Sequence, residues 1–229
     1  NGEDVWAENY NRRALRSEVG LVFQYPEHQL FENTVLADVC FGPMNQGLSR
    51  AQAEEEAKKA LAHVGVKEEN FTKSPFELSG GQKKRVAIAG VLAMNPKILI
   101  LDEPTAGLDP QGRDDILDQI AALHKMRGIT IILVSHSMED IAEYVERLIV
   151  MNHGEMVFDD TPKNVFSHYK ELERMGLAAP QITYIMHALS ENGLNVDTTA
   201  TTVEEARDTI LEALKKQKPS LLKKGGRNE

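Results

Sequence analysis

Three groups of residues that suit phosphate chemistry lie within residues 78–110. The first is an SGGQ motif at residues 79–82, whose glycines let backbone N–H groups approach a ligand and whose following helix directs its positive end at an anion. The second is the pair Asp102 and Glu103, which could hold Mg²⁺ and polarise the water that attacks a γ-phosphate. The third is the AGLDP loop, which contains Asp109.

A helix and two strands are predicted to position these groups. The residues after SGGQ form an apolar helical stripe that ends at Asn95-Pro96. KILIL, before the acid pair, predicts a strand buried on both faces of a parallel sheet, and ITIILV predicts the next strand of a βαβ unit. Ser135-His136 follows ITIILV, and the acid pair follows KILIL. Because the carboxyl ends of parallel strands meet at one edge, we expect His136 to lie near Asp102 and Glu103.

Each of these groups, taken alone, also has a structural interpretation. A carboxylate pair can simply begin a surface loop, and a histidine after a strand usually has a structural role. Gln24, which follows the apolar run VGLVF, could cap a loop. The occurrence of LSGGQ, ILILDEP and AGLDP in one block favours the functional interpretation.

Together these motifs resemble the nucleotide-binding subunit of ABC transporters. LSGGQ resembles the family signature, ILILDEP its Walker B strand, and AGLD its D-loop, and the likeness runs from about residue 19 to at least residue 160. The resemblance implies an α/β, P-loop NTPase-like core with a parallel sheet. It places an ABC ATPase domain at residues 1–160, a helical signature subdomain at about 32–94, and a helical C-terminal appendage with a flexible tail at 161–229.

The resemblance also implies roles for individual residues. Gln24 of the Q-loop, Glu103 and His136 of the H-loop would act in hydrolysis, and Asp102 and Gln24 would hold Mg²⁺. In the family two chains meet head to tail, so the signature would contact the partner's ATP, and Asp109 would link the two sites. The signature residues are Ser79, Gly80, Gly81 and Gln82.

Two further stretches resemble a particular branch of the family. FQYPEHQLF followed by FGPMNQGLS is similar to the ATPases of energy-coupling factor (ECF) vitamin importers and their cobalt and nickel relatives. APQITYIMHAL also recurs in ECF-type ATPases, where this region helps hold the two ATPase subunits together. Apolar groups in the first stretch predict a surface that docks on a membrane subunit; the alternative is that they pack against the helical subdomain. The predicted docking residues are Tyr25, Pro26, Leu30 and Phe31.

Composition narrows the setting in which the chain acts. The formal net charge is -9, which does not suggest a nucleic-acid surface. Cys40 is the single cysteine, so no internal disulfide forms and a reducing cytosol fits. No run approaches the roughly 20 apolar residues of a spanning helix. We therefore expect a peripheral subunit at the cytoplasmic face of the cell membrane, which acts there through a partner.

The sequence contains no G-x-x-x-x-G-K-[ST] motif. In the family this P-loop lies upstream of the Q-loop, and its backbone cradles the phosphates. The expectation is therefore that the chain is truncated at its N-terminus and binds ATP poorly by itself.

The sequence predicts an ATP-hydrolysing subunit that energises an ECF-type importer of vitamins or of transition-metal ions such as cobalt and nickel. ATP and Mg²⁺ would be its cofactors. Its partners would be a second ATPase subunit, a hydrophobic transmembrane coupling subunit and a substrate-binding membrane protein. The alternatives are a soluble ABC ATPase of DNA repair or translation, and an inactive dimerisation fragment. The short insert between Gln24 and Leu78 argues against the first, and the presence of Glu103 and His136 against the second.

Overall fold

The computed structural model describes residues 2–224, with side chains described as far as residue 216. The chain forms two compact units, Asn1–Val134 and Ser135–Glu229. Residues 225–229, the end of the predicted flexible tail, lie outside the described residues. None of the helices in the described part combines the length and apolar character needed to cross a membrane.

The first unit is a parallel sheet with helices packed against it. A 3-10 turn, Pro26–Gln29, follows the first strand. The other main elements are, in chain order, α1 Arg12–Glu18, β1 Val19–Val22, α2 Val35–Asn45, α3 Arg50–His63, α4 Gly80–Leu92, β2 Ile98–Asp102, α5 Pro110–Arg127 and β3 Thr130–Val134.

The three strands are parallel in the order β1-β2-β3. Leu99 and Leu101 are fully buried and form one core with residues of α4 and α5. The opposite face is less covered, because Leu21, Ile132 and Val134 on that face are 39%, 46% and 48% exposed. The prediction that the strands are buried on both faces is therefore correct for one face only, since α4 and α5 cover that face.

Helix starts in this unit follow ordinary capping chemistry. Ser49 and Gln52 form a capping box at the start of α3, in which each side chain bonds the backbone of the other. At the start of α2 the hydroxyl of Thr34 accepts a hydrogen bond from the Ala37 amide. Helix α5 ends at Gly128, whose φ of 65° is a left-handed conformation that glycine adopts without strain.

One glycine brings β1 close to α4. A Cβ atom on Gly20 would lie 2.6 Å from Cγ1 of Val91 and 3.1 Å from Cγ of Pro96. The strand can therefore approach the helix this closely only because residue 20 has no side chain. Helix α4 is thereby fixed against the sheet that carries the acid pair.

The second unit combines a β-hairpin with helices. Its hairpin turns at His153-Gly154, and both residues have positive φ, as a type I′ turn requires. Val150 of the hairpin shares a core with Val165 and Phe166. The domain boundary at residue 160 stays a prediction. The elements are α6 Met138–Tyr144, β4 Leu148–Asn152, β5 Glu155–Asp160, α7 Pro162–Ser167, α8 Tyr169–Arg174, α9 Gln181–Glu191 and α10 Val203–Lys224.

Replacement of Gly20 by alanine is expected to destabilise the first unit by about 1–3 kcal/mol, because the added methyl overpacks the contact between β1 and α4. Gly90→Ala is the matched control, since a Cβ at Gly90 meets nothing within 4 Å and alanine favours the helix. Urea unfolding of both variants measures the difference. A Gly20→Ala variant as stable as the unmodified chain would contradict the packing described.

Candidate functional site

The acid pair lies where β2 leaves the sheet. Asp102 is the last residue of β2 and is paired with Val134 of β3. The Glu103 amide donates a hydrogen bond to the Val134 carbonyl at 2.9 Å, so the ladder continues one residue beyond the strand. Both acidic residues are half-buried. This arrangement holds two carboxylate residues at the carboxyl end of the sheet, where open α/β sheets bind ligands.

The backbone of Glu103 has an uncommon conformation. Its φ is 49°, in the left-handed region that residues with a Cβ atom rarely adopt. The next residues form consecutive turns, because the Ala106 amide donates to the Glu103 carbonyl and the Leu108 amide to the Thr105 carbonyl, both at 3.2 Å. Strain of this kind persists where surrounding contacts impose it, and it is common at catalytic residues.

The SGGQ motif forms the first turn of α4. Oγ of Ser79 accepts from the Gln82 amide at 3.3 Å, and Oε1 of Gln82 accepts from the Ser79 amide at 3.0 Å. A Cβ atom on Gly80 would meet nothing within 4 Å, and one on Gly81 would lie 3.4 Å from Cδ2 of Leu108. The glycines therefore leave the positive end of a 13-residue helix accessible, as an anion site requires.

Asp109 caps α5. Its Oδ1 accepts a hydrogen bond from the Gly112 amide at 2.6 Å. The side chain of Leu108, one residue earlier, lies next to Gly81. The predicted D-loop and signature are therefore neighbours within this chain.

The predicted Q-loop joins β1 to the 3-10 turn. Gln24 is exposed, and Tyr25 has a positive φ of 57°. Two of the four predicted docking residues, Pro26 and Leu30, are buried, and Leu30 belongs to the core. Their burial agrees with the alternative that these residues pack inside the chain, and their role in docking stays a prediction. Tyr25 and Phe31 remain exposed, at 48% and 56%.

An open groove lies beside Phe31. Its walls come from α1, the loop after the 3-10 turn, α2 and α4. Phe31 meets Phe41 of α2 edge to face, with ring centroids 4.9 Å apart, and Phe41 is itself 46% exposed. Oδ2 of Asp38 accepts hydrogen bonds from the Phe31 and Glu32 amides at 2.8 and 2.9 Å, which fixes this loop on α2.

Comparisons with known proteins agree with one another. The family model for ABC transporters matches residues 1–106. The chain is 54% identical over 202 residues to the energy-coupling factor transporter ATP-binding protein EcfA2 of Clostridium perfringens, over 88% of this chain and 71% of that protein. It is 52% identical over 209 residues to EcfA2 of Clostridium tetani, over 91% of this chain and 73% of that protein.

The chain belongs to the ABC ATPases of the energy-coupling factor type. Among solved structures, cbiO1 from Clostridium perfringens, part of the ABC transporter complex cbiONQ, matches with a TM-score of 0.65 and 39% identity, over 80% of this chain and 72% of that one. The dimeric ATP-binding cassette MJ0796 bound to ADP and Pi matches with a TM-score of 0.58 and 28% identity, over 67% and 68%. The predicted fold class is confirmed, and the chain is an ATPase subunit coupled to transport.

Two residues of α4 in this ABC ATPase were missed by sequence reasoning. Lys84 is only 2% exposed, and its Nζ donates to the Ala106 carbonyl at 2.5 Å. Burial lowers the pKa of this ammonium group. Nη1 of Arg85 donates to the Val64 carbonyl at 3.1 Å and to Oε1 of Gln119 at 2.8 Å, which ties α4 to the end of α3 and to α5. The sequence did contain a signal for the burial of Lys84, because this lysine lies four residues before Ile88 on the apolar stripe of the helix.

His136 belongs to the second unit of this ABC ATPase. It is exposed and lies between Ser135 and Ser137, where Oγ of Ser135 accepts from the Ser137 amide at 3.0 Å. Ser137 in turn caps α6. The expectation that His136 lies beside the acid pair stays a prediction.

Magnesium would depend on few protein ligands in this ABC ATPase. Within residues 2–224, no cluster of three or more histidine, cysteine, aspartate or glutamate side chains could hold a metal ion. The carboxylate of Asp102 and the amide oxygen of Gln24 are hard oxygen donors, which suit Mg²⁺. Since Mg²⁺ keeps several waters and takes phosphate oxygens as ligands, one or two such donors fit a nucleotide-bound ion.

Proposed function

We propose that this subunit hydrolyses ATP with Glu103 as the group that activates water, and thereby energises import of a vitamin or a transition-metal ion. The observation that carries the proposal is the constrained position of Glu103. Its left-handed backbone, its hydrogen bond to Val134 and the turn that follows hold the carboxylate residue at the carboxyl end of the sheet. The relatives named EcfA2 support the ECF branch of the assignment.

The remaining polar residues complete the proposed reaction. Gln24 and His136 orient the attacking water and contact the γ-phosphate, and Asp102 with Gln24 holds Mg²⁺. When bound, the ion neutralises charge on the β- and γ-phosphate oxygens. The expectation that this chain alone binds ATP poorly stays a prediction.

Signature residues serve the nucleotide of a second ATPase subunit in this proposal. The accessible glycines at the start of α4 support it, because their N–H groups can reach phosphate oxygens. Asp109 lies beside this turn through Leu108 and links the two sites. The second subunit is either a copy of this chain or a related chain.

A transmembrane coupling subunit occupies the groove beside Phe31 in this proposal. Exposed aromatic rings at Phe31 and Phe41 line the groove and supply the apolar area that such a contact needs, and Tyr25 is exposed on the adjoining turn. The groove adjoins the turn after Gln24, so a movement of the membrane subunit is passed to the catalytic residues. Together with a substrate-binding membrane protein, these subunits form the importer at the cytoplasmic face of the membrane.

Glu103→Gln is expected to lower ATP turnover at least about 100-fold, because the amide cannot accept the proton of the attacking water. Phosphate release is measured on the chain assembled with its partner ATPase, and ATP binding is expected to be retained. Glu69→Gln is the control, since Glu69 is an exposed residue of the turn after α3. Turnover by Glu103→Gln at the rate of the unmodified assembly would exclude the proposed role.

Ser79→Ala and Ser49→Ala separate capping from nucleotide binding. Both serines form the same capping box with a glutamine three residues later, so each change is expected to cost about 1 kcal/mol of stability. Only Ser79→Ala is expected to lower ATP turnover as well, by about 10- to 100-fold. Urea unfolding and phosphate release are measured on both variants, and equal losses of turnover would refute the signature role of Ser79.

Phe31→Ser is expected to weaken binding of the membrane subunit by about 30-fold, the loss typical of a central aromatic contact. The measurement is binding of the ATPase assembly to the detergent-solubilised membrane subunit. Met126→Ser is the control, because Met126 is 66% exposed on α5 and outside the groove. If both variants bind as tightly as the unmodified assembly, the groove is not the docking site.

A further inference from the structure

Lys84 is buried in a position that normally holds an apolar residue. It lies on one stripe of α4 with Ile88 and Leu92, and the three are 2%, 1% and 3% exposed. Lysine is almost never buried this completely unless its ammonium group has partners, because desolvation of the charge is costly. The contacts of this ammonium group therefore indicate what the residue does.

The ammonium group holds the turn that begins at Glu103. Nζ of Lys84 donates to the Ala106 carbonyl at 2.5 Å. The amide of Ala106 in turn donates to the Glu103 carbonyl at 3.2 Å. The same short segment leads on to Leu108 and to Asp109, the cap of α5. The side chain of Lys84, from the signature helix, thus holds the loop that runs from Glu103 to Asp109.

A second group near Lys84 comes from the turn after Gln24. The 3-10 turn that contains Glu27 packs against α4, and the negative charge of Glu27 raises the pKa of Lys84 against the larger effect of burial. Oε2 of Glu27 is shielded from solvent and has no hydrogen-bond partner among the residues that the structure describes. A buried carboxylate oxygen without such a partner is costly, and its interaction with the ammonium group offsets part of that cost.

We propose that Lys84 is a positioning residue, which holds the Glu103–Asp109 turn in its strained conformation and links it to the Glu27 turn beside the groove. The inference rests on the proposed role of Glu103. A displacement of the Glu27 turn changes the environment of the ammonium group, and its hydrogen bond to Ala106 transmits that change to the catalytic carboxylate. The signature helix and the turn before α5 therefore share the hydrogen bond of Lys84, and the charge of Glu27 in the Q-loop segment acts on the same ammonium group.

The direct test is amide hydrogen exchange in the peptide that covers residues 103–109. Lys84→Met keeps the length of the side chain and removes the donor, and Lys84→Gln keeps a donor. Lys125→Met is the matched control, because Lys125 is exposed on α5. Exchange in this peptide is expected to become at least about tenfold faster in Lys84→Met, with unchanged exchange in α3. Unchanged exchange in residues 103–109 overturns the proposal, whatever the ATPase assay shows.

Steady-state kinetics of the assembled ATPase supply the second readout. Lys84→Met is expected to lower kcat by about 10- to 100-fold with KM for ATP within about twofold, since misplacement of a catalytic group affects the chemical step. Lys84→Gln is expected to recover most of this loss. A parallel loss of kcat and ATP binding, or no recovery with glutamine, indicates a purely structural role and overturns the proposal.

Glu27→Gln tests the link to the Q-loop segment and remains informative if Lys84→Met does not fold. This change removes only the charge near Lys84 and is expected to alter both kcat and the exchange of residues 103–109. In combination with Lys84→Met it is expected to add nothing further. Unchanged kcat and exchange in Glu27→Gln, or additive effects in the double variant, overturn the link.

Failure of the unmodified assembly to hydrolyse ATP would instead refute the proposed function. The hydrogen-exchange test of Lys84 would still be valid in that case.

Discussion

The hydrogen bond between the Glu103 amide and the Val134 carbonyl is the contact on which the candidate site depends. It extends the parallel ladder of β2 and β3 by one residue and fixes the point at which the chain leaves the sheet. Because Glu103 is in the left-handed region there, the following residues turn back at once. The turn at Ala106, the contact of Leu108 with Gly81 and the start of α5 at Asp109 all take their positions from this point.

Helix α4 also contacts the turn that follows Glu103. Its first turn carries the signature glycines, Lys84 bonds the Ala106 carbonyl, and Arg85 bonds the end of α3 and Gln119 of α5. Further along, the helix packs so closely on β1 that only glycine fits at position 20. Closely packed interiors shift between discrete arrangements and do not deform continuously. A displacement of α4 therefore moves the signature and the Glu103 turn together, which suits an ATPase that couples hydrolysis to movement.

Local patterns predicted much of this structure, and the misses have physical reasons. Apolar runs and end signals predicted α4, β2 and β3. Helix α2 lies within the helical subdomain predicted at about 32–94 but was not assigned individually. Gly42 and Pro43 disfavour a helix interior, and the burial of Val35 and Val39 outweighs that preference. The KILIL run indicates a buried strand, but an apolar run does not reveal which elements cover each face of the sheet. The partner of Lys84 was not predictable, because it is a backbone carbonyl 22 residues away.

Comparison of the two capping boxes indicates which feature of the signature would matter for the proposed binding of a nucleotide. Helices α3 and α4 begin with the same Ser-x-x-Gln geometry, so the serine cap alone does not distinguish a nucleotide site from an ordinary helix start. The difference lies in the next two residues, Arg50 and Ala51 in α3 against Gly80 and Gly81 in α4. Without Cβ atoms the N–H groups of α4 can come within reach of phosphate oxygens in the proposed site, and Leu108 is the side chain nearest to Gly81. The glycines therefore keep the start of α4 accessible beside the D-loop, and the serine cap keeps that helix end in place.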